Sequence, residues 1–184
     1  ANYFGANPTA PNYMTTVLFR PAVLQKYYGE PSRFSVEDGL VRCQGLWTHQ
    51  MDNHGDAGVF CALGDLGSLP PQEQAHWKSH NIPPIGDWSK TTKARWFDAE
   101  FTDSERPEDL FLFAYNDLAQ KSTATLGWPL IRPLISHDQH HMTNVRKPTG
   151  NEQVEFDSIM ASLTMATIES LDSKNLKKLL PSSY

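Results

Sequence analysis

The run His137-Asp138-Gln139-His140-His141 places three imidazoles and a carboxylate within five residues. Neutral imidazole nitrogens bind zinc or manganese, and a carboxylate beside them either joins the metal or fixes the tautomer of a ligating ring. On a helix, His137 and His141 would stand one turn apart on a single face, with His140 beside them. His76 and His80 repeat the four-residue spacing in "HWKSH". These five histidines, His76, His80, His137, His140 and His141, are the candidate metal ligands. Asp138 is one candidate catalytic carboxylate. Asp65, in "LGDLG", is the other, because it follows an apolar strand-like run and a strand end holds a side chain rigidly. Gathered in one place, these groups would make a metal-dependent hydrolase of the phosphoester type.

A plainer reading stands beside that one. Neither histidine pair carries the Glu of an H-E-x-x-H arrangement, which would supply a zinc hydrolase with its base. No G-x-x-x-x-G-K-[ST], G-x-G-x-x-G or G-x-S-x-G run is present. Asp65 between two glycines suits a turn in which the carboxylate accepts from its own backbone. The histidine-rich run then forms a surface loop or strand end, with an imidazole donating to a backbone carbonyl or to Asp138.

A third cluster combines charge and aromatic rings. Lys90, Lys93 and Arg95 lie beside Trp88 and Trp96, a combination that can grip single-stranded nucleic acid. The same spacing describes an amphipathic helix whose cations are solvated and whose aromatics enter a core. With a formal net charge of −5, the surface is not built for sequence-independent phosphate binding, so nucleic acid is not an expected partner.

Two cysteines, Cys43 and Cys61, are too few for a disulfide framework or a four-thiolate zinc site. Both sit in apolar strand-like runs, where a thiol acts as a small buried hydrophobe, and a reducing cytoplasmic setting is expected. The apolar runs fall far short of a membrane span, and the first residues lack the basic start and apolar stretch of a secretory signal. At 184 residues the chain can bury a sizeable core without metal or disulfide.

The elements that must position these groups read as α+β. β-Branched and aromatic residues predict a strand over 13–19, and Pro21 opens a helix that stops at Gly29. The runs 40–51 and 57–64, separated by the turn formers "DNHGD", predict a central hairpin whose second strand is interior. A short helix follows Ser68 and is closed by Pro83 and Pro84. Further helices are predicted over 89–101 and in "DSERPEDLFLFAYNDLAQK". Thr149 and Glu152 have capping-box spacing ahead of the longest predicted helix, striped by Phe156, Met160, Leu163, Thr167 and Leu171. The expectation is a small antiparallel sheet with a central hairpin, covered by helices and ending in a long C-terminal helix. Residues 1–12 read as a linker-like start and 13–184 as a single domain.

The stretches "VLFRPAVLQKYYGEPSRFSVEDGLVRCQGLW", "LGDLGSLPPQEQAHWKSHNIPP" and "EFDSIMASLTMATIESLDSKNL" resemble a group of long bacterial proteins that carry no assigned activity. The resemblance spans Val17 to Leu176 and rests on ordinary residues in a particular order, so no site residue comes with it. It implies that this chain is a segment of a larger bacterial protein, for which the cysteine content suggests a cytoplasmic setting. Its partners would be other domains of the same polypeptide or another protein. The leading expectation is a non-catalytic binding or regulatory module that needs no cofactor. The metal-dependent hydrolase is the alternative, and it requires the His137 run to converge with His76 and His80 or with Asp65.

Overall fold

Strand β1 (Thr16–Phe19) is the organising element of the first part of the chain. Its residues alternate between two faces. Phe19 enters the main core, while Leu18 enters a second cluster with Phe60 and Trp88. The computed structural model describes residues 8–179, so 1–7 of the expected linker and 180–184 lie outside the described residues. After β1, Pro21 opens a 3₁₀ turn (Pro21–Leu24), where its missing N–H costs nothing, and the chain continues into α1 (Gln25–Gly29).

The next three strands, β2 (Phe34–Glu37), β3 (Leu40–Cys43) and β4 (Trp47–Gln50), form an antiparallel meander. Its connections turn at Gly39 (φ 72°) and Gly45 (φ 69°), a backbone region that only glycine enters freely. This corrects the expected hairpin. The run 40–51 folds back on itself at Gly45, and β5 (Val59–Ala62) leaves it to pair antiparallel with β1. A single bridge between Asp52 and Phe60 is all that forms of the expected pairing. β5 is buried at every residue, yet it lies at an edge of its sheet, whose order is β5-β1-β6 with β6 at Asn81–Ile82. Burial on both faces did not require a strand on both sides.

Helices α2 (Leu63–Gly67) and α3 (Pro71–Ser79) follow β5 directly, and α4 (Lys90–Trp96) comes after β6. Ser89 caps α4 by accepting from the Thr92 N–H at 3.0 Å. The helix expected to reach Phe101 stops at Trp96, just before Ala99 at φ 54°.

The main core joins β1, α1, the meander and α3 around Tyr27. Its ring meets Phe34, Trp47 and Trp77 at centroid separations of 5.1, 6.2 and 6.3 Å. Its hydroxyl donates to Glu73 and accepts from Trp77 Nε1, both at 2.8 Å. Lys26 Nζ completes the coordination of the buried Glu73 carboxylate at 2.7 Å. A carboxylate removed from water in this way is tolerated only because each oxygen has a donor. Burial works to raise the Glu73 pKa, and the Lys26 and Tyr27 donors more than offset it, holding the group below its ordinary value.

Contacts cluster the chain into two compact units, Ala1–Arg106 and Pro107–Tyr184, within what reads in the sequence as one domain over 13–184. The second unit contains α5 (Pro107–Leu126), α6 (His140–Asn144), α7 (Gln153–Thr164), a π-turn (Met165–Glu169) and α8 (Ser173–Lys178). The longest helix among the described residues is α5, not the final one. The Thr149–Glu152 capping box does not form. α7 starts at Gln153, so Glu155 occupies its third position and reaches back to the N–H groups of Thr149 and Gly150 and to Arg146. The architecture is α+β, and no helix among the described residues is long and apolar enough to cross a membrane.

Replacing Tyr27 with Phe keeps the ring packing and removes the hydroxyl. Trp77 Nε1 then lacks an acceptor and Glu73 loses a donor. We expect a loss of about 1–3 kcal/mol in a urea titration followed by tryptophan fluorescence, with the slope unchanged.

Candidate functional site

The histidine-rich run forms a turn that leads into α6. His137 lies before the helix, with a side chain 88% exposed and Nδ1 3.0 Å from Asp138 Oδ1. His140 Nδ1 donates to the His137 carbonyl at 2.9 Å, and His141 Nδ1 lies 3.0 Å from Ser162 Oγ on α7. Because the helix starts only at His140, His137 and His141 do not share a helical face. The close pair is instead His140 with His141, at a centroid separation of 4.0 Å.

His76 and His80 do approach each other, at 4.8 Å between rings, on α3 and its C-cap. His76 Nε2 donates to the Val23 carbonyl at 2.9 Å and His80 Nδ1 to the His76 carbonyl at 3.1 Å. These two belong to the first unit, while His137, His140 and His141 belong to the second. Among the described residues, no group of three or more His, Cys, Asp or Glu side chains is disposed to hold one ion.

Asp65 stands on α2, where the sequence suggests a turn. Its carboxylate accepts from the Tyr13 hydroxyl. Tyr13 lies flat against Gly64, where a Cβ would come within 1.7 Å of the ring, so only glycine admits this contact. The basic and aromatic stretch also divides. Trp88 is buried, stacks near Trp96 (5.2 Å) and Phe60 (5.8 Å), and donates through Nε1 to Thr16 Oγ1. Arg95 holds Asp38 at 2.9 Å and Lys93 holds Asp87 at 2.5 Å. The aromatic half of the stretch is core, and two of its three cations are paired.

A charged network was missed in the sequence. His54 Nδ1 lies 3.0 Å from Asp52 Oδ1 and its Nε2 lies 2.7 Å from Asp38 Oδ1, the latter a charge contact without hydrogen-bond alignment. Both ring nitrogens therefore face carboxylates, on opposite edges of the ring, so one ion could not collect all three groups. Asp52 also accepts from the Ser89 N–H at 2.6 Å, and Arg95 closes the chain on Asp38. Burial works to raise the Asp52 pKa, but the donors from His54 and Ser89 outweigh it and hold the carboxyl low. The local trace of this network is Asp-x-His inside "DNHGD", which reads as turn formers until Asp38 arrives from another turn. The His54 side chain is 3% exposed and that of Asp52 1%, so the network ties elements together and offers nothing to a substrate.

Nearby, His49 packs at 4.8 Å from the Trp77 ring, with Nε2 3.3 Å from Cys61 Sγ. Burial pushes its pKa down to about 4, so the ring is neutral. Burial likewise pushes the Cys61 thiol up, and Cys43 is also buried and unbonded to another sulfur.

A concavity lies in the first unit, between β1, α2 and α3, with a volume of about 750 Å³. Val17, Phe19, Leu63, Leu66 and Trp77 make its apolar floor. One face of α3, repeating at helical spacing as Pro71, Gln74, Ala75 and Lys78, makes a wall. Asn81 closes one end, its Nδ2 donating to the Leu18 carbonyl at 2.9 Å. Gln74 Nε2 is likewise engaged, by the Leu69 carbonyl at 2.7 Å. Asp65 does not line this cleft, although its neighbours on α2 do. No family model matches the chain, and no curated protein or solved structure matches it either.

Two expectations test this assignment of roles. Because the ordinary His pKa of 6.5 falls to about 4 in the folded state, the unfolded chain binds a proton at His49 that the folded chain refuses. Stability is then unaffected above pH 6.5 and falls as pH drops from 6.5 towards 4, by on the order of 3 kcal/mol in total. His49→Gln should flatten that limb of a stability–pH curve. Separately, His137→Ala should shift stability by less than about 0.5 kcal/mol, and His141→Ala should cost about 1 kcal/mol through the lost Ser162 contact. Thermal melts with and without zinc check both variants. A zinc-dependent gain in the wild type that either variant loses would instead assign a metal to this turn.

Proposed function

We propose that this chain is a binding module and that the cleft of its first unit seats the ligand. The observation that carries the proposal is the lining. An apolar floor of Val17, Phe19, Leu66 and Trp77 underlies a volume of about 750 Å³. That is the size and character of sites that enclose small organic molecules. The polar side chains around it are hydroxyl, amide and amine groups, which orient a ligand. The setting that goes with this proposal, a segment of a larger cytoplasmic bacterial protein regulated by or docked to its other parts, rests on the resemblance across Val17 to Leu176.

The test uses N-phenylnaphthylamine, a neutral dye that brightens in apolar surroundings. We expect saturable binding at one site, with quenching of Trp77 emission. Ala75 is exposed on the cleft wall, so Ala75→Trp should fill the cleft, abolish dye binding and leave the melting temperature within about 2 °C of wild type. Dye binding that is unsaturable, or equal in the variant, would move the ligand seat elsewhere.

A further inference from the structure

We infer that the cleft selects an amphipathic anion, an apolar body ending in a single carboxylate, with Lys78 as its charge partner. The inference rests on the cleft being the ligand seat and goes further by assigning the class of ligand.

Its basis is the distribution of charge around the cleft. Among the described lining residues Lys78 alone carries a full charge, and its ammonium has no hydrogen-bond or ion-pair partner among the described residues. Of the other lysines of this unit, Lys26 is paired with Glu73 and Lys93 with Asp87, while Lys90 lies on α4 away from the cleft lining. The nearby acids are committed elsewhere. Glu73 sits on the core-facing side of α3, held by Lys26 and Tyr27, and Asp65 is held by Tyr13. His76 and His80 each donate to a backbone carbonyl. The face of α3 that walls the cleft therefore presents one positive charge with no ion-pair partner among the described residues.

Hydrogen bonding points the same way. Gln74 Nε2 is given to the Leu69 and Gly67 carbonyls, and one N–H of Asn81 Nδ2 to the Leu18 carbonyl. The remaining neutral donors are the Ser68 hydroxyl and the second Asn81 N–H, so the Lys78 ammonium is the charged donor among the described lining residues, and an ammonium beside an apolar wall favours an anionic acceptor over a neutral one. The apolar floor takes the body of the ligand, and the ammonium at the end of its four-carbon stem reaches the head group.

The experiment is displacement of N-phenylnaphthylamine from the full chain by decanoate and by decanol, in wild type, Lys78→Gln and Lys78→Arg. Lys78 is exposed on α3, so neither substitution touches the core. We expect the affinity ratio of decanoate to decanol to fall about tenfold in Lys78→Gln and to return in Lys78→Arg, with dye and decanol affinities unchanged. Raising the salt concentration should weaken decanoate but not decanol in the wild type. An unchanged ratio in Lys78→Gln overturns the assignment of Lys78 while leaving the cleft as a seat for neutral ligands. Failure of the neutral dye to bind the wild type overturns the seat itself, and this inference with it.

Discussion

A buried carboxylate sets the geometry of the first unit. Glu73 cannot remain ionised inside the protein without donors, and an isolated buried charge would cost several kcal/mol. Lys26 and Tyr27 on α1 supply those donors, and Trp77 on α3 donates in turn to the Tyr27 hydroxyl. This arrangement fixes the rotation of α3 about its own axis. Each residue advances an α-helix by about 100°, so a slip of one position would withdraw Glu73 from its donors. The same slip would turn Pro71, Gln74, Ala75 and Lys78 away from β1. The polar contacts on one side of α3 thus determine which residues wall the cleft on the other.

A second set of charges ties other elements of the first unit together. Asp38 comes from the turn between β2 and β3, Asp52 and His54 from the crossing between β4 and β5, and Arg95 from α4. One network therefore pins the meander, the crossing and α4, whose last residue is Trp96. The contrast with His49 shows why residue type alone says little about role. His49 lies against Trp77 and Cys61 without a carboxylate partner, and burial keeps it neutral. His54, five positions on, has a side chain only 3% exposed but faces a carboxylate at each ring nitrogen.

What could be read in the sequence was local. Pro21 and Gly29 bounded the first helical segment, Ser89 capped α4, and Pro107 with Glu108 and Asp109 opened α5, because each signal acts within one turn. The errors came where two local signals competed or where partners were distant. Gly45 and "DNHGD" both offered a turn, and the stronger-looking cluster proved to be a crossing between sheets. The sequence pairs Thr149 with Glu152, but α7 starts at Gln153 and Thr149 bonds Glu155 instead. The cleft was illegible for a different reason. In isolation, Pro71, Gln74, Ala75 and Lys78 look like the solvated face of a short helix. They become a wall only when β1 and α2 stand opposite, and that placement follows from β5 pairing with β1 instead of with the meander.

The two units differ in how they are held. In the first, aromatic and aliphatic side chains from strands and helices share one core. In the second, Ile131, Ile159 and Ala166 are the buried apolar residues among those described, while Leu110, Phe113, Val154 and Ile168 are more than half exposed. Polar ties do more there: Ser122 accepts from the Leu130 N–H, and Asn144 donates to Ser158 and Ser162. This difference bears on where binding can be coupled to stability. Trp77 is at once the cleft floor and a member of the main core, and its indole N–H belongs to the Glu73 network. A ligand resting on that ring binds only the folded arrangement, so it stabilises the first unit by mass action. Loosening of the core would reach the cleft through the same residue, which makes the proposed ligand seat and the core a single cooperative structure.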